Sequence, residues 1–449
     1  MKPPEEQTMS SVFPRDTRIN LPKAIRAEGC YIYDETGKAY FDGSGGAAVS
    51  CLGHGDPDII SAIEKQAKTL AFAHTGFFTS EHSEKLARLL ADYTPGELNR
   101  IYFVSGGSEA IEAALKLARQ YHVENGQPER RHLISRKQSY HGNTLGALGA
   151  GGNEMRRAQF QPLLIDVHHI APCYEYILRD EIETSHDYGQ RAAQELEDEI
   201  LRLGPETVMA FIAEPVVGAT LGAVTAVGGY FQRIRDICDT YGVILILDEV
   251  MCGMGRTGYL FACEADQVVP DIVCIAKGLG AGYQPIGAMI CSEFIYDAIK
   301  TGSGIFQHGH TYLGHPVATA ASYAVVNKII NQNMVHCCNR LGVFLSDALH
   351  DSFGQHPYIG DIRGRGLFLG LEIVSDRATK KPFDPELQVA RKLKMAAFEA
   401  GLICYPMAGT RGGLLGDHIL LAPPFIMQDS QISEITYKLE KALKSVLPA

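Results

Sequence analysis

The chain has no tryptophan, no Cys-x-x-Cys pair, no run of basic residues and no internal repeat. Every absence but the first removes a class of function. The eleven cysteines are odd in number and scattered, which argues against a disulfide framework and against a zinc site, so no metal is expected and a reducing compartment is. A formal net charge of −11 leaves nothing to neutralise a phosphate backbone, and nucleic acid is set aside as a partner. No segment supplies the roughly 18 uninterrupted apolar residues of a membrane-spanning helix. The opening stretch, MKPPEEQTMSSVFPRDTRIN, is polar and proline-bearing, without the apolar core of a signal peptide. The expectation is a cytoplasmic protein. No self-similarity recurs at about 20 to 50 residues, which excludes a repeat architecture.

What is present is alternation. Between residues 100 and 300, short β-branched runs alternate with longer helix-like segments: RIYFV, RHLIS, VMAFIAE, VILILDE, DIVCIAK and IGAMICS. Runs apolar on both faces and spaced by helices read as buried strands of a largely parallel α/β sheet. After the first run, Ile111, Ala114, Leu115 and Ala118 keep the rhythm of one buried helix face. Upstream, the sequence reads as a β-hairpin with Glu35-Thr36-Gly37-Lys38 as its turn. Downstream, the amphipathic MVHCCNRLGVFLSDALHDSF, the strand-like GRGLFLGLEIV and helices near 386–400 and 430–446 predict a smaller α+β domain. At 449 residues the chain exceeds what one core serves. The expected division is an N-terminal segment 1–60 contributing to the small domain, a large domain 61–328 and a C-terminal small domain 329–449.

In open parallel sheets ligands bind beyond the carboxyl ends of the strands, so the residues that end each run matter most. Here they are Ser105-Gly106-Gly107-Ser108, Ser139-Tyr140-His141-Gly142, Glu214-Pro215, Asp248-Glu249-Val250 and Lys277. Taken singly, each has a plain reading: a capped loop, packed aromatics, a lysine snorkelling from a strand end. Asp248 is more telling, because a carboxylate after five apolar residues is expensive to bury without a partner. Together they offer an anion site, an aromatic platform, a carboxylate and an amine. Pyridoxal 5′-phosphate is the cofactor whose usual fittings are a lysine Schiff base and an acidic partner for the pyridinium nitrogen. A lysine in that place would serve twice, as covalent anchor and as general acid/base.

The motifs FVSGGSEAIEAALKLAR, SYHGNTLGAL, AEPVVG, LILDEVMCGMGRTGYLFACE, IAKGLGAGYQPIGAM and HGHTYLGHPVATAA occur in this order. With them the sequence resembles, over essentially its whole length, the class III, ω-amino-acid type, pyridoxal-phosphate aminotransferases. The resemblance implies fold type I: a large domain with a mostly parallel seven-stranded sheet, plus a smaller α+β domain. It implies that Gly107 and Ser108 bind the cofactor phosphate, that Tyr140 stacks on the ring and Val250 lies on its other face. It further implies that Asp248 partners the ring nitrogen and that Lys277 forms the Schiff base. Glu214, in AEPVVG, joins the cofactor-binding set, and His141 beside the stacking tyrosine helps to seat the ring. Thr311 matches a threonine that reaches the cofactor phosphate of the neighbouring subunit, so a homodimer, or a dimer of dimers, is implied.

Two departures bear on substrate. Where γ-aminobutyrate and ornithine enzymes resemble EP(V/I)QGEGG, this chain has EPVVGATLGAV, which weakens a 2-oxoglutarate reading. Arg411 lies where pyruvate-using ω-transaminases carry a flexible arginine for the substrate carboxylate, although an arginine among glycines also reads as a solvated loop residue. Phe77-Phe78, Tyr174-Glu175-Tyr176 and residues 405–415 are candidate substrate walls. The glycine pattern GMGRTG follows Asp-Glu-Val rather than opening a dinucleotide site. The expected activity is transfer of an amino group from a primary amine or ω-amino acid to an α-keto acid, with pyruvate as acceptor, by ping-pong chemistry. The rivals are a 2-oxoglutarate-linked aminotransferase, a racemase or decarboxylating enzyme on the same scaffold, and a non-catalytic relative.

Overall fold

The computed structural model describes residues 11–448. Its centre is a seven-stranded sheet built from β4 (Leu98–Val104), β5 (His132–Arg136), β6 (His168–Ile170), β7 (Val208–Ala213), β10 (Ile244–Asp248), β11 (Ile272–Ile275) and β12 (Gly287–Ser292). The spatial order is β4-β12-β11-β10-β7-β5-β6. Only β12 runs against its neighbours, pairing antiparallel with both β11 and β4. The six apolar runs of the sequence are all strands. The seventh, β6, escapes that pattern because it is three residues long, lies at an edge and begins with His168 and His169.

The strands are apolar throughout because both faces of the sheet are covered. Along β10, Leu245 and Leu247 pack with Phe211, Val273 and Ile275 on one face. Ile244 and Ile246 join Ile212, Cys274 and the helix Gly107–Glu124 on the other. The helix face predicted from spacing is the one that packs there, with Ile111, Ala114, Leu115 and Ala118 all buried.

The N-terminal hairpin closes as expected: β2 (Tyr31–Asp34) and β3 (Ala39–Asp42) pair, preceded by β1 (Ala24–Glu28). Asp34 anchors its turn by accepting the backbone N–H groups of Thr36 and Lys38 and the Tyr40 hydroxyl. β3 then pairs in parallel with β15 (Leu402–Ile403), which ties the first part of the chain to the last. A further antiparallel sheet, β13 (Ile359–Arg365), β14 (Phe368–Ile373), β17 (Leu415–Leu421) and β16 (Tyr405–Arg411), stands beside the helices Met334–Phe353, Val389–Glu399 and Asp429–Val446. The GMGRTG segment is a seam rather than a ligand loop. Arg256 is fully buried, and its Nη1 donates to the carbonyls of Leu367 (3.1 Å) and Pro423 (2.6 Å).

Candidate active site

Because β4, β5, β7, β10 and β11 run the same way, the residues that follow them collect on one edge of the sheet. Asp248, the last residue of β10, is 3 % exposed. Its Oδ2 lies 2.7 Å from His141 Nδ1, and its Oδ1 accepts the Val250 backbone N–H at 3.0 Å. His141 is itself buried, with Nε2 3.4 Å from the Ser135 hydroxyl. It is therefore a support for Asp248 more directly than a wall for a ring. Glu214 is 4 % exposed and receives N–H groups on both oxygens, from Tyr140 at 3.1 Å and Gly218 at 2.9 Å. Burial, opposed by His141 and reinforced by the charge of Asp248, raises its pKa.

Lys277 follows β11 after Ala276, in a left-handed backbone conformation with φ +45°. For a residue with a Cβ this costs about 1–3 kcal/mol, and surrounding hydrogen bonds must impose it. They do: the Lys277 carbonyl accepts N–H groups from Gly280 at 3.0 Å and Ala281 at 2.9 Å, and that of Ala276 accepts Leu279 at 2.9 Å. Among the described residues no hydrogen bond or ion pair takes up its amine. Desolvation lowers the pKa of that amine, against the pull of Asp248 and Glu214, so a larger neutral fraction is available as nucleophile.

The helix Gly107–Glu124 begins at the same edge with no side chain capping it, so its first N–H groups face outward. Gly107 is required by contact: a Cβ there would lie 2.7 Å from Val250 Cγ1. Gly142 is required twice, by φ +140° and because its Cβ would meet Ser108 Oγ at 2.5 Å. Ser108 Oγ donates to Asn143 Oδ1 at 3.0 Å and accepts the Asn143 N–H at 3.1 Å, which fixes the hydroxyl beside the helix start. Gly107, Ser108, Tyr140, His141, Glu214, Asp248, Val250 and Lys277 thus converge.

The profile of the family described as aminotransferase class-III matches residues 13–443. The chain belongs to the class III aminotransferases. An uncharacterized aminotransferase of Schizosaccharomyces pombe is 45 % identical, over 95 % of this chain and 94 % of its own. Among solved structures, a thermostable (S)-enantioselective omega-transaminase from Thermomicrobium roseum superposes with a TM-score of 0.92 at 35 % identity, covering 98 % of this chain and 97 % of that one. The omega-transaminase from Pseudomonas jessenii in complex with PMP superposes with a TM-score of 0.91 at 30 % identity, covering 97 % and 96 %. Enzymes of this class III family depend on pyridoxal phosphate, and their fold is that of this chain, fold type I.

The groups of this aminotransferase fit that cofactor in kind. The edge supplies an unpartnered amine, an uncapped helix start and a carboxylate whose own position is held from behind. Two expected residues have no hydrogen bond or ion pair to this cluster among the described residues. Thr311 is exposed and lines an open cavity of about 1160 Å³ with Phe78, Tyr102, Phe306 and His310, a cavity that touches none of Lys277, Asp248 and Tyr140. Arg411, at the end of β16, donates from Nη2 to the Lys380 carbonyl. Of the proposed walls, Tyr174 is buried with its hydroxyl 2.8 Å from Glu372 and is a structural link.

Sequence reasoning passed over Asn143 and Arg156. Asn143 stood in a quoted motif, and only the fold shows its side chain meeting Ser108. Arg156 had no signal beyond its charge in GGNEMRR, where Arg157 looks the same and is spent on the carbonyls of Gly149 and Gly151.

Proposed function

We propose that the protein transfers the amino group of a primary amine or ω-amino acid to an α-keto acid, with pyruvate as acceptor, in a ping-pong cycle at the Lys277 edge. The observation that carries this reading is the unpartnered Lys277 amine, its pKa lowered by burial, facing the buried Asp248–His141 pair. When bound, pyridoxal phosphate supplies a reactive carbonyl carbon and an electron-withdrawing ring. Lys277 would hold that carbon, and its amine, once free, would move the proton at the donor carbon that carries the nitrogen. Asp248, kept in place by His141 and the Val250 N–H, would hold a proton on the ring nitrogen.

Gly107, Ser108 and the uncapped helix start take the phosphate, with Asn143 orienting the serine. Tyr140 and Val250 flank the ring, and Glu214 fixes the Tyr140 backbone. Thr311 serves the site of a second copy, a role supported by its exposure and by the cavity it lines, whose lining includes none of Lys277, Asp248 and Tyr140. The working unit is then a homodimer.

The test is a donor-by-acceptor activity matrix with pyruvate and 2-oxoglutarate as the first two acceptors. Keto-acid consumption matched by amino-acid formation, faster with pyruvate, is the expected result. Clear preference for 2-oxoglutarate would overturn the acceptor assignment. Epimerised donor without acceptor consumption would replace transamination by racemisation.

A further inference from the structure

Loop 302–315 joins the helix Glu293–Thr301 to the helix Pro316–Asn331 and carries Thr311. It contains no helix or strand, and none of its residues is buried. A segment held so little by packing keeps one shape only where hydrogen bonds impose it.

Most of those bonds come from one side of the helix Gly107–Glu124. Lys116, Gln120 and Glu124 follow one another at four-residue spacing, that of neighbours on a helix surface. Gln120 uses both ends of its amide: Nε2 donates to the Ile305 carbonyl at 2.8 Å, and Oε1 accepts the Gln307 N–H at 3.0 Å. Glu124 Oε2 accepts the Ser303 N–H at 3.0 Å, and Lys116 Nζ lies 3.3 Å from His308 Nδ1. From β4, the Tyr102 hydroxyl donates to the His308 carbonyl at 2.6 Å. The far end is tied where the Ser83 hydroxyl donates to the Gly314 carbonyl at 3.2 Å. Thr311 lies between these ties, and among the described residues its hydroxyl makes no hydrogen bond.

The helix is a firm mooring, because its opposite side, with Ile111, Ala114, Leu115 and Ala118, is buried against the sheet. Its first residues, Gly107 and Ser108, are those assigned above to the phosphate of the chain's own cofactor. Gln120 stands about 18 Å further along the same rod.

We propose that Gln120 is a positioning residue: through loop 302–315 it holds Thr311 where the cofactor phosphate of a second protomer meets it. One helix then serves two cofactors, its own at its start and its partner's through the loop. This rests on the reading above that Thr311 serves a second copy.

The experiment follows loss of cofactor from the holoenzyme on dilution, read from the visible absorbance of the bound cofactor. Thr311→Ala should release it about 10- to 100-fold faster, the range of a hydrogen bond to a charged group. Gln120→Met, which keeps the length and loses the amide, should release it about 3- to 10-fold faster and add nothing to Thr311→Ala. Hydrogen exchange on the Gln120→Met holoenzyme should show the Gln307 N–H less protected, a readout independent of turnover.

Mixed dimers locate the effect. A Lys277→Ala protomer lacks the covalent link, so the absorbance of the linked cofactor reads only the other protomer's site. Where the Lys277→Ala protomer also carries Gln120→Met, the intact protomer should lose its cofactor fast. Where Gln120→Met is placed in the protomer that keeps Lys277, loss should match that of a dimer with Lys277→Ala alone. The reverse pattern overturns the proposal, since Gln120 would then act on its own helix start. Additive losses in the Gln120→Met, Thr311→Ala double variant, or wild-type release from Gln120→Met, overturn it as well. If Gln120→Met does not fold, Gln120→Glu, which keeps the acceptor and loses the donor, carries the same comparisons. A Thr311→Ala enzyme that keeps its cofactor like the wild type would instead remove the reading of Thr311 itself.

Discussion

The central sheet buries ions at both of its edges and treats them in opposite ways. At the edge where β10 and β11 begin, Asp271 accepts the Leu245 N–H at 2.7 Å and Arg235 Nη1 at 3.0 Å, while Arg235 also reaches Asp239 at 2.7 Å. Each charge there has a partner. At the edge where the same strands end, Asp248 and Glu214 each have one hydrogen-bond partner on each oxygen, but the Lys277 amine has no counterpart among the described residues. One edge spends its charges on holding the strands together. The other leaves the Lys277 amine unspent, which is the condition for binding and reacting with something else.

Substitutions at the two edges should therefore separate activity from stability. The largest expected effect is Lys277→Ala, which should lower turnover by at least about 100-fold and toward 10⁴-fold, the usual worth of a positioned acid/base group. The thermal midpoint of the cofactor-free variant should not fall, because burial of the amine is itself unfavourable. Turnover near that of the wild type would break the comparison at its centre. Next is Asp271→Ala, expected to cost about 3 kcal/mol in denaturant unfolding, as for one member of a buried pair with a second carboxylate nearby. The kcat of the folded fraction should be nearly unchanged, and a selective loss of kcat would show that the two edges are not separable. The smallest effect is Ser108→Ala, which should weaken cofactor binding by about 1 kcal/mol, one hydrogen bond, in equilibrium dialysis. A loss above about tenfold would mean that the hydroxyl also orders the helix start.

The sequence was most legible where burial repeats along a strand. VILILD announced both a two-faced strand and a carboxylate that needed support, and both are in the fold. Lys277 stood out because an apolar run ended on it. The support itself was hidden: His141 and Asp248 are 107 residues apart in sequence, and only the sheet order brings them to 2.7 Å. Arg156 and Arg157 were indistinguishable on paper, since which of two adjacent arginines spends its donors on backbone depends on the turn of a four-residue helix. Arg411 was placed by motif, and its engagement with Lys380 comes from a turn that no local pattern predicts.

In the central sheet β12 alone runs antiparallel. It pairs directly with β11, Ile275 opposite Ala288, so the segment bearing Lys277 leaves the sheet and re-enters it one ladder over, with no crossover helix to swing. The nucleophile stands on a fixed post. Its reach is that of a four-carbon arm, and the travel between the atom it holds and the proton it moves comes from side-chain rotation alone. Bulk on a donor must be accommodated by the walls that face the post, since the post cannot step back.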